Sequence, residues 1–183
     1  PNTTYYVQPY AYANGQRYYS TEEISFTTNN CPDMIGETGP GGGIIFEYDC
    51  NGNGQEFFLI EQMGSWACAS NTFIGASTSQ FEGTGLQNSQ TLAQYCTDPT
   101  AAFNVCLNFS NNGYSDWYLP ALDDYKTIRN NLYNTGLWTP SADYFLTSSK
   151  YQSTTRYNYT MTTGNVSTSP VTSNSAYLIV RSF

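Results

Sequence analysis

The alternation of apolar with small or polar residues predicts strands near both ends of the chain. Asn14-Gly15, a dipeptide typical of tight turns, separates two alternating stretches and predicts a hairpin. Farther along the chain, two apolar stretches, at 44–48 and 56–60, flank a turn rich in Asn and Gly. We expect the final strand to pair near residues 43–48, which brings the ends of the domain together. The predicted strands cover residues 4–12, 23–28, 44–48, 56–60 and 176–183.

Apolar residues at helical spacing predict two short helices, at 88–96 and 100–109, and a third after Pro120. Proline suits the first helical position, because its missing N–H would have no partner there. Asp123 and Asp124 follow in the first turn, where the helix dipole favours negative charge. The mixture of strands and helices predicts an α+β fold.

Composition excludes several functions. The 183 residues carry a net charge of −8 and only six basic side chains, which disfavours binding to nucleic acid or to anionic membrane. Histidine is absent, which removes the commonest general base and the commonest metal ligand. Because aromatic residues are plentiful and charged ones scarce, we expect a folded, secreted protein. Because histidine is absent and the acids and cysteines have structural explanations, we expect that it is not an enzyme and has no cofactor.

Five cysteines predict two disulfides and one odd thiol in an extracellular setting. The connectivity is open from sequence alone. Closeness along the chain favours Cys31 with Cys50 and Cys96 with Cys106. The alternative is that all five are reduced and buried.

The segment from Gly113 to Pro120 runs G-Y-S-D-W-Y-L-P. We predict that Trp117 is in the core and that Pro120 starts a helix. Asp116 holds the turn through a backbone hydrogen bond or pairs with Arg181, so all four residues have structural roles.

From about residue 36 onward, the order of motifs resembles a family of bacterial surface domains typified by the C-terminal domain of the Legionella collagen-like adhesin. The first 28 residues resemble the last two strands of a fibronectin type III domain. The matching motifs are Gly41–Asp49, Trp66-x-Cys68, Ala101-Ala102 with Cys106, 113–120, 144–149 and 180–183.

The resemblance implies a C-type-lectin-like domain with a small antiparallel sheet, two or three short helices and long loops. The implied domains are a fibronectin-like hairpin at 1–28, a linker at 29–40 and a binding domain at 41–183. It also implies an adhesive tip of a longer bacterial or phage surface protein, with sulfated or other glycans as ligands in some members. Two departures stand out: Phe145 and Lys150 replace the Trp and the Glu of a typical "YWSSSE" motif. The calcium-and-sugar tripeptides of animal C-type lectins are absent as well.

Asp49-x-Asn51-x-Asn53 matches the first half of a calcium-binding loop. The twelfth position of such a loop requires a bidentate Glu, and here it is Ile60. A hairpin turn explains the same Asp and Asn residues, and we favour it over calcium.

Ser, Thr, Asn and Tyr dominate residues 147–177, as they do in antibody binding loops. We therefore predict exposed loops and short strands that bind a ligand by aromatic stacking and adaptable hydrogen bonds. The alternative is that these residues are merely solvated. The predicted binding residues are Trp138, Tyr151, Arg156, Tyr157, Asn158 and Tyr159.

These observations predict non-enzymatic adhesion at the cell surface, with a glycan or a cell-surface protein as ligand and no membrane insertion. The alternative is a structural subunit of a filament, tail fibre or surface layer, in which the chain is a homo-oligomer and its own partner.

Overall fold

A computed structural model describes residues 4–27, 33–69 and 72–183. The chain divides into two compact units. The first contains residues 1–33 and 49–51, and the second contains residues 34–48 and 52–183. Cys31, for which the sequence predicts a bond to Cys50, lies outside the described residues, as does most of the first half of the predicted linker.

The first unit is a long two-stranded ribbon. Asn14 and Gly15 both have positive φ, 50° and 79°, as the predicted tight turn requires. The outer strands of the ribbon pair with each other, and so do the inner strands. The four strands are β1 Thr4–Val7, β2 Tyr10–Ala13, β3 Gln16–Tyr19 and β4 Ile24–Thr27.

The second unit combines a sheet with short helices, so the predicted mixed architecture is confirmed. Its strands are β5 Ile44–Tyr48, β6 Gly54–Gly64, β7 Tyr144–Gln152, β8 Thr155–Thr160, β9 Val166–Pro170 and β10 Ser175–Ser182. Its helices are α1 Gly85–Tyr95, α2 Ala102–Leu107 and α3 Leu122–Ile128, followed by a π-helical turn, Arg129–Tyr133.

The six strands form one sheet in the order β5-β6-β10-β7-β8-β9. Only the β10–β7 contact among these pairs is parallel. The prediction that the final strand pairs near residues 43–48 is wrong, because β6 lies between β5 and β10. β6 pairs with β10 along nearly the whole of β10, and with β5 on its other edge.

Two hydrophobic cores lie on opposite faces of the sheet. Successive side chains of a strand point to opposite faces, and β10 follows this rule. Tyr177 and Ile179 join a first core that contains Trp66, Trp117 and residues of α1 and α2. Leu178 and Val180 join a second core with residues of α3. Every side chain of β10 from Ser175 to Arg181 is buried, which makes this strand the centre of the domain.

A buried ion pair fastens the last strand to the glycine-rich segment before β5. Arg181 donates to Glu56 at 2.8 Å and to Asp116 at 2.8 Å. Of the two predicted roles of Asp116, a backbone hydrogen bond or a pair with Arg181, the structure shows the pair. The Glu56 carboxylate also accepts hydrogen bonds from the backbone N–H groups of Gly41 and Gly43, at 2.7 and 2.8 Å. Glu56 is fully buried, so each of its oxygens depends on these protein donors.

The helix after the G-Y-S-D-W-Y-L-P segment starts later than predicted. Ala121 is the N-cap and Leu122 the first helical residue, so Pro120 precedes the helix and does not occupy its first position. The Pro120 carbonyl instead accepts the Ser148 N–H at 2.8 Å, which ties the segment to β7. Trp117 is completely buried, as predicted.

The described disulfide joins Cys68 to Cys96. The predicted bond between Cys96 and Cys106 is therefore wrong, although the presence of a disulfide is confirmed. Cys106 is a buried thiol on α2, within the first core, and burial raises its pKa. Cys96 directly follows α1, and its Cα lies 6.0 Å from that of Cys68 in the segment after β6.

Candidate functional site

Strands β7 and β8 carry five of the six residues for which the sequence predicts ligand binding. Because side chains alternate along a strand, Arg156 and Asn158 lie on one face of β8. Tyr157 and Tyr159 lie on the opposite face. The four predicted binding residues on β8 are thus divided between the two faces of that strand.

Tyr151 and Tyr157 form an aromatic pair beside the hairpin between β7 and β8. Their ring centroids are 5.2 Å apart, with the rings inclined at 71°. Tyr151 is 51% exposed, whereas Tyr157 is half-buried and packs against the second core. Gln80 donates to the Tyr157 hydroxyl at 3.2 Å. The pair therefore presents an exposed ring beside a ring that packs against the second core and accepts a hydrogen bond from a side-chain amide.

The other face of the same strands carries a polar network. Arg156 donates to Oδ1 of Asn158, and Nδ2 of Asn158 donates to the Tyr144 hydroxyl at 3.0 Å. That hydroxyl also lies 2.8 Å from Oγ of Ser167 and 3.1 Å from Oγ of Ser169. Tyr144 is 37% exposed, so the network runs from the interior to the surface.

Three members of the predicted binding group are inside the protein. Arg156 and Asn158 are fully buried, and Tyr159 is 3% exposed. The Tyr159 ring stacks on Tyr125 in the second core, with centroids 6.2 Å apart. The reason is that α3 packs on one face of β8, where Tyr125 covers Tyr159, and that the segment before β10 lies beside Arg156 on the other face, where the Ser173 carbonyl accepts its hydrogen bond at 2.6 Å.

Trp138 lies apart from the tyrosine pair. Its ring packs edge-on against Phe57 of β6 at 5.0 Å. In the sheet, β10 and β7 separate β6 from β8. The structure therefore brings together only Tyr151 and Tyr157 from the predicted group as an accessible aromatic surface.

Four residues beside these strands were missed by the sequence prediction: Gln80, Tyr144, Ser167 and Ser169. Tyr144 belongs to the motif at 144–149, which carries no predicted binding residue. No signal in the sequence pointed to Gln80, because a loop that precedes α1 carries it to β8. The two serines alternate along β9, and this spacing could have placed them on one face.

Lys150 has a structural role at the position where the resembling family has Glu. Its ammonium group donates to the carbonyls of Phe73 and Ala76. The backbone N–H of Lys150 also donates to Oγ1 of Thr78 at 2.8 Å. Lys150 thus supplies the cation that holds the loop over residues 73–78.

At the calcium candidate, Asp49 accepts the backbone N–H of Asn51 at 2.9 Å and its side-chain amide at 3.4 Å. This contact is typical of an Asx turn, which is the interpretation that the sequence favoured for Asp49, Asn51 and Asn53. Among the described residues, no group of three or more His, Cys, Asp or Glu side chains is placed to hold a metal ion.

Asp124 is the buried acid with the most perturbed titration. Burial raises its pKa to about 7, against the opposing effect of hydrogen bonds from the backbone N–H groups of Gly83 and Ala121. These bonds, both 2.7 Å long, occupy one carboxylate oxygen each. Asp124, which is fully buried, therefore anchors the start of α3 and the loop before α1.

This titration predicts that the protein becomes less stable as the pH rises from about 5 to about 7. The folded state holds the Asp124 proton more tightly than the unfolded state, whose pKa is near 3.8, so deprotonation favours unfolding. We expect a loss of about 2 kcal/mol over this range in urea titrations. Asp124→Asn should flatten the slope, leaving a smaller one from Glu82, whose pKa is also raised mainly by burial. An unchanged slope in this variant would contradict the assignment.

Comparison of the chain with models of protein families finds no match, and no curated protein matches it either. Within the described part of the chain, no helix has the length and apolar character needed to cross a membrane.

Proposed function

We propose that this chain is a non-enzymatic adhesion module of an extracellular surface protein, and that it binds a saccharide against Tyr151 and Tyr157. The observation that carries the proposal is the tyrosine pair, in which one ring is exposed and the other is fixed by Gln80. Sugars stack their C–H faces on aromatic rings, while hydroxyl and amide groups bind their oxygens. A cell-surface protein is the alternative ligand for the same surface.

We further propose a C-type-lectin-like fold for the second unit. Three features support this assignment: the pairing of β6 with β10, the helices on both faces of the sheet, and the backbone hydrogen bonds between Gly54 and Phe183. The Cys68–Cys96 disulfide supports an extracellular location, because disulfides persist mainly in oxidising compartments.

The hydrogen bonds of Asp124 and Asp116 support the non-enzymatic part of the proposal. General acid catalysis requires a carboxyl group within reach of its substrate. Both oxygens of Asp124 are engaged by backbone N–H groups inside the protein. Asp116 is bound to Arg181, whose hydrogen bonds lower the Asp116 pKa and keep it ionised.

A glycan array followed by titration tests the proposed function. We expect saturable binding that weakens about 10-fold or more in Tyr151→Ala and in Tyr157→Ala, because each substitution removes a stacking ring. Tyr18→Ala is the matched control, since Tyr18 is 54% exposed on the first unit and should not affect binding. Equal binding by all three variants would contradict the chosen surface. Hydrolysis of any bound glycan would contradict the non-enzymatic assignment.

The second candidate function is self-assembly as a structural subunit, and the ribbon favours it. Tyr5 and Val7 lie opposite Phe26 and Ile24, which gives one face with four exposed apolar side chains. For this function, light scattering should show an oligomer that dissociates in the Val7→Ser, Ile24→Ser variant. A monomer at all tested concentrations would exclude it.

A further inference from the structure

One edge of the six-stranded sheet is covered by the chain, and the other is open. At β5, the backbone N–H of Ile45 donates to the Glu37 carbonyl at 2.9 Å, and the Ile45 carbonyl accepts the Gly36 N–H at 2.8 Å. The register of β5 with β6 is also irregular, between Ile45 and Glu47. At β9, the register with β8 is regular, and among the described residues no strand pairs with the outer side of β9. The two edges therefore differ in their capacity to accept another strand.

The hydrogen bonds at the two ends of β9 show which of its backbone groups face β8. The Val171 N–H donates to the Thr154 carbonyl at 3.0 Å. Beyond the other end of the strand, the Asn165 carbonyl accepts the Thr160 N–H at 2.9 Å. Bonded pairs alternate with non-bonded pairs in an antiparallel ladder, and both bonds fit the register of β8 with β9. The two serines of β9 are therefore the residues whose backbone groups bond to β8.

Val166 and Thr168 consequently direct their backbone N–H and carbonyl groups away from β8. No described residue forms a hydrogen bond with these four groups. Pro170 ends the open edge, because it has no N–H and its carbonyl accepts the Ser173 N–H at 3.0 Å. Val166 is 43% exposed and Thr168 is exposed, so the edge is accessible. The open edge thus consists of two donors and two acceptors.

The arrangement of these groups is self-complementary. When a second copy lies antiparallel to the first with the two Ser167 residues opposite each other, Val166 of each copy lies opposite Thr168 of the other. Each such pair exchanges two backbone hydrogen bonds, so the two pairs form about four bonds. Residues 157–180 carry no charged side chain, so like charges do not face each other along this edge, although each chain has a net charge of −8.

We propose that β9 pairs with β9 of a second copy about a two-fold axis at Ser167, and that the protein forms a dimer with one continuous sheet. Side chains of paired residues point to the same side of a sheet. Thr168 lies opposite Tyr157 on β8, so the dimer presents the tyrosine pairs of both copies on one face. The proposal does not depend on saccharide binding, and its surface is separate from the apolar face of the ribbon.

Two NMR measurements test the dimer. Dilution of the labelled protein from about 1 mM to about 20 μM should shift the Val166 and Thr168 amide signals, because pairing by a few backbone hydrogen bonds gives weak affinity. In a mixture of labelled and unlabelled chains, an isotope-filtered spectrum should show a cross-peak between the Hα atoms of Ser167 in the two copies. This contact is expected for the register centred on Ser167, since the α-carbons of non-hydrogen-bonded pairs are the closer ones.

Thr168→Pro tests the backbone bonds of the edge. It removes an N–H that points away from β8, so the pairing of β9 with β8 is kept, and we expect dimerisation to be at least about 10-fold weaker. Thr168→Ala is the matched control, because it shortens the same side chain and keeps the N–H, and it should change the dimerisation constant less than about 3-fold. Near-ultraviolet circular dichroism verifies that both variants keep the native core.

A pair of charged variants tests the register and does not depend on the proline variant. Ser167→Lys places like charges opposite each other across the two-fold axis, so dimerisation should weaken about 5-fold, and the same holds for Ser167→Glu. An equimolar mixture of the two variants should recover dimerisation, since opposite charges then face each other. Sedimentation velocity of each variant and of the mixture, at equal total concentration, measures the difference.

Several results would overturn the proposal. A chain that is monomeric at about 1 mM would exclude the dimer. Equal weakening by Thr168→Pro and Thr168→Ala would exclude this edge, and no recovery in the mixture of charged variants would exclude this register. A dimer that persists in Thr168→Pro but dissociates in the Val7→Ser, Ile24→Ser variant would assign self-association to the ribbon. A monomer whose Val166 and Thr168 amides shift with the peptide acetyl-Thr-Val-Thr-Val-Thr amide would assign the edge to a foreign strand.

Discussion

Glu56→Gln is expected to lower the free energy of unfolding by about 3–5 kcal/mol, because it removes one partner of a buried ion pair. The neutral amide no longer balances the Arg181 charge, which is 4% exposed. The side-chain nitrogen of the glutamine also replaces one of the two carboxylate oxygens that accept a backbone N–H, so Gly41 or Gly43 loses its acceptor. Urea denaturation should show a lower midpoint with an unchanged slope, as expected for a pure loss of stability.

Asp116→Asn is the matched control for this prediction. Asp116 binds the same arginine, but its side chain is 51% exposed, and exposed ion pairs contribute at most about 1 kcal/mol. The two variants remove the same charge from opposite sides of Arg181 and differ mainly in burial. If they lowered stability equally, or if Glu56→Gln cost less than about 1 kcal/mol, the buried contact would not be what fastens β10.

Local sequence patterns predicted elements whose cause is local. The Asn14-Gly15 turn and the strand over residues 44–48 depend on residues that are close along the chain, and both lie where predicted. The same holds for the acidic first turn of α3, although the helix starts beyond Pro120. The physical reason is that turn conformation and helix capping are decided within a few residues.

Contacts between distant residues could not be predicted in this way. Glu56 and Arg181 are 125 positions apart, and nothing in either neighbourhood indicates the other. The pairing of β10 with β6, and not with β5, is likewise a contact between residues that are far apart along the chain. Cys96 was assigned to the nearer Cys106, but its bond to Cys68 is set by how α1 packs against the segment after β6.

The candidate site shows the same division. The alternation of Arg156 and Asn158 with Tyr157 and Tyr159 was visible in the sequence and is typical of a strand. What the sequence does not show is that α3 packs on one face of this strand and that Arg156 and Asn158 form hydrogen bonds inside the protein on the other. The stretch that it predicts to form exposed loops and short strands therefore contains a buried polar network. Of the predicted binding residues in that stretch, Tyr151 is exposed and Tyr157 is half-buried.

Reduction of the Cys68–Cys96 disulfide is expected to lower the free energy of unfolding by about 3–4 kcal/mol. The two cysteines are 28 positions apart, and closing a loop of that length in the unfolded chain accounts for a stabilisation of this size. The bond also holds the end of α1, where Cys96 is 2% exposed, against the chain that follows β6. Urea denaturation with and without a phosphine reductant measures the difference directly.

The double variant Cys68→Ala, Cys96→Ala separates this bond from any other redox effect. It should reproduce most of the loss seen on reduction of the native protein, because it also lacks the constraint on the unfolded chain. Reductant should then change its stability no further. If the variant still lost several kcal/mol on reduction, the effect would come from another disulfide, and Cys68–Cys96 could not be the bond that stabilises the domain.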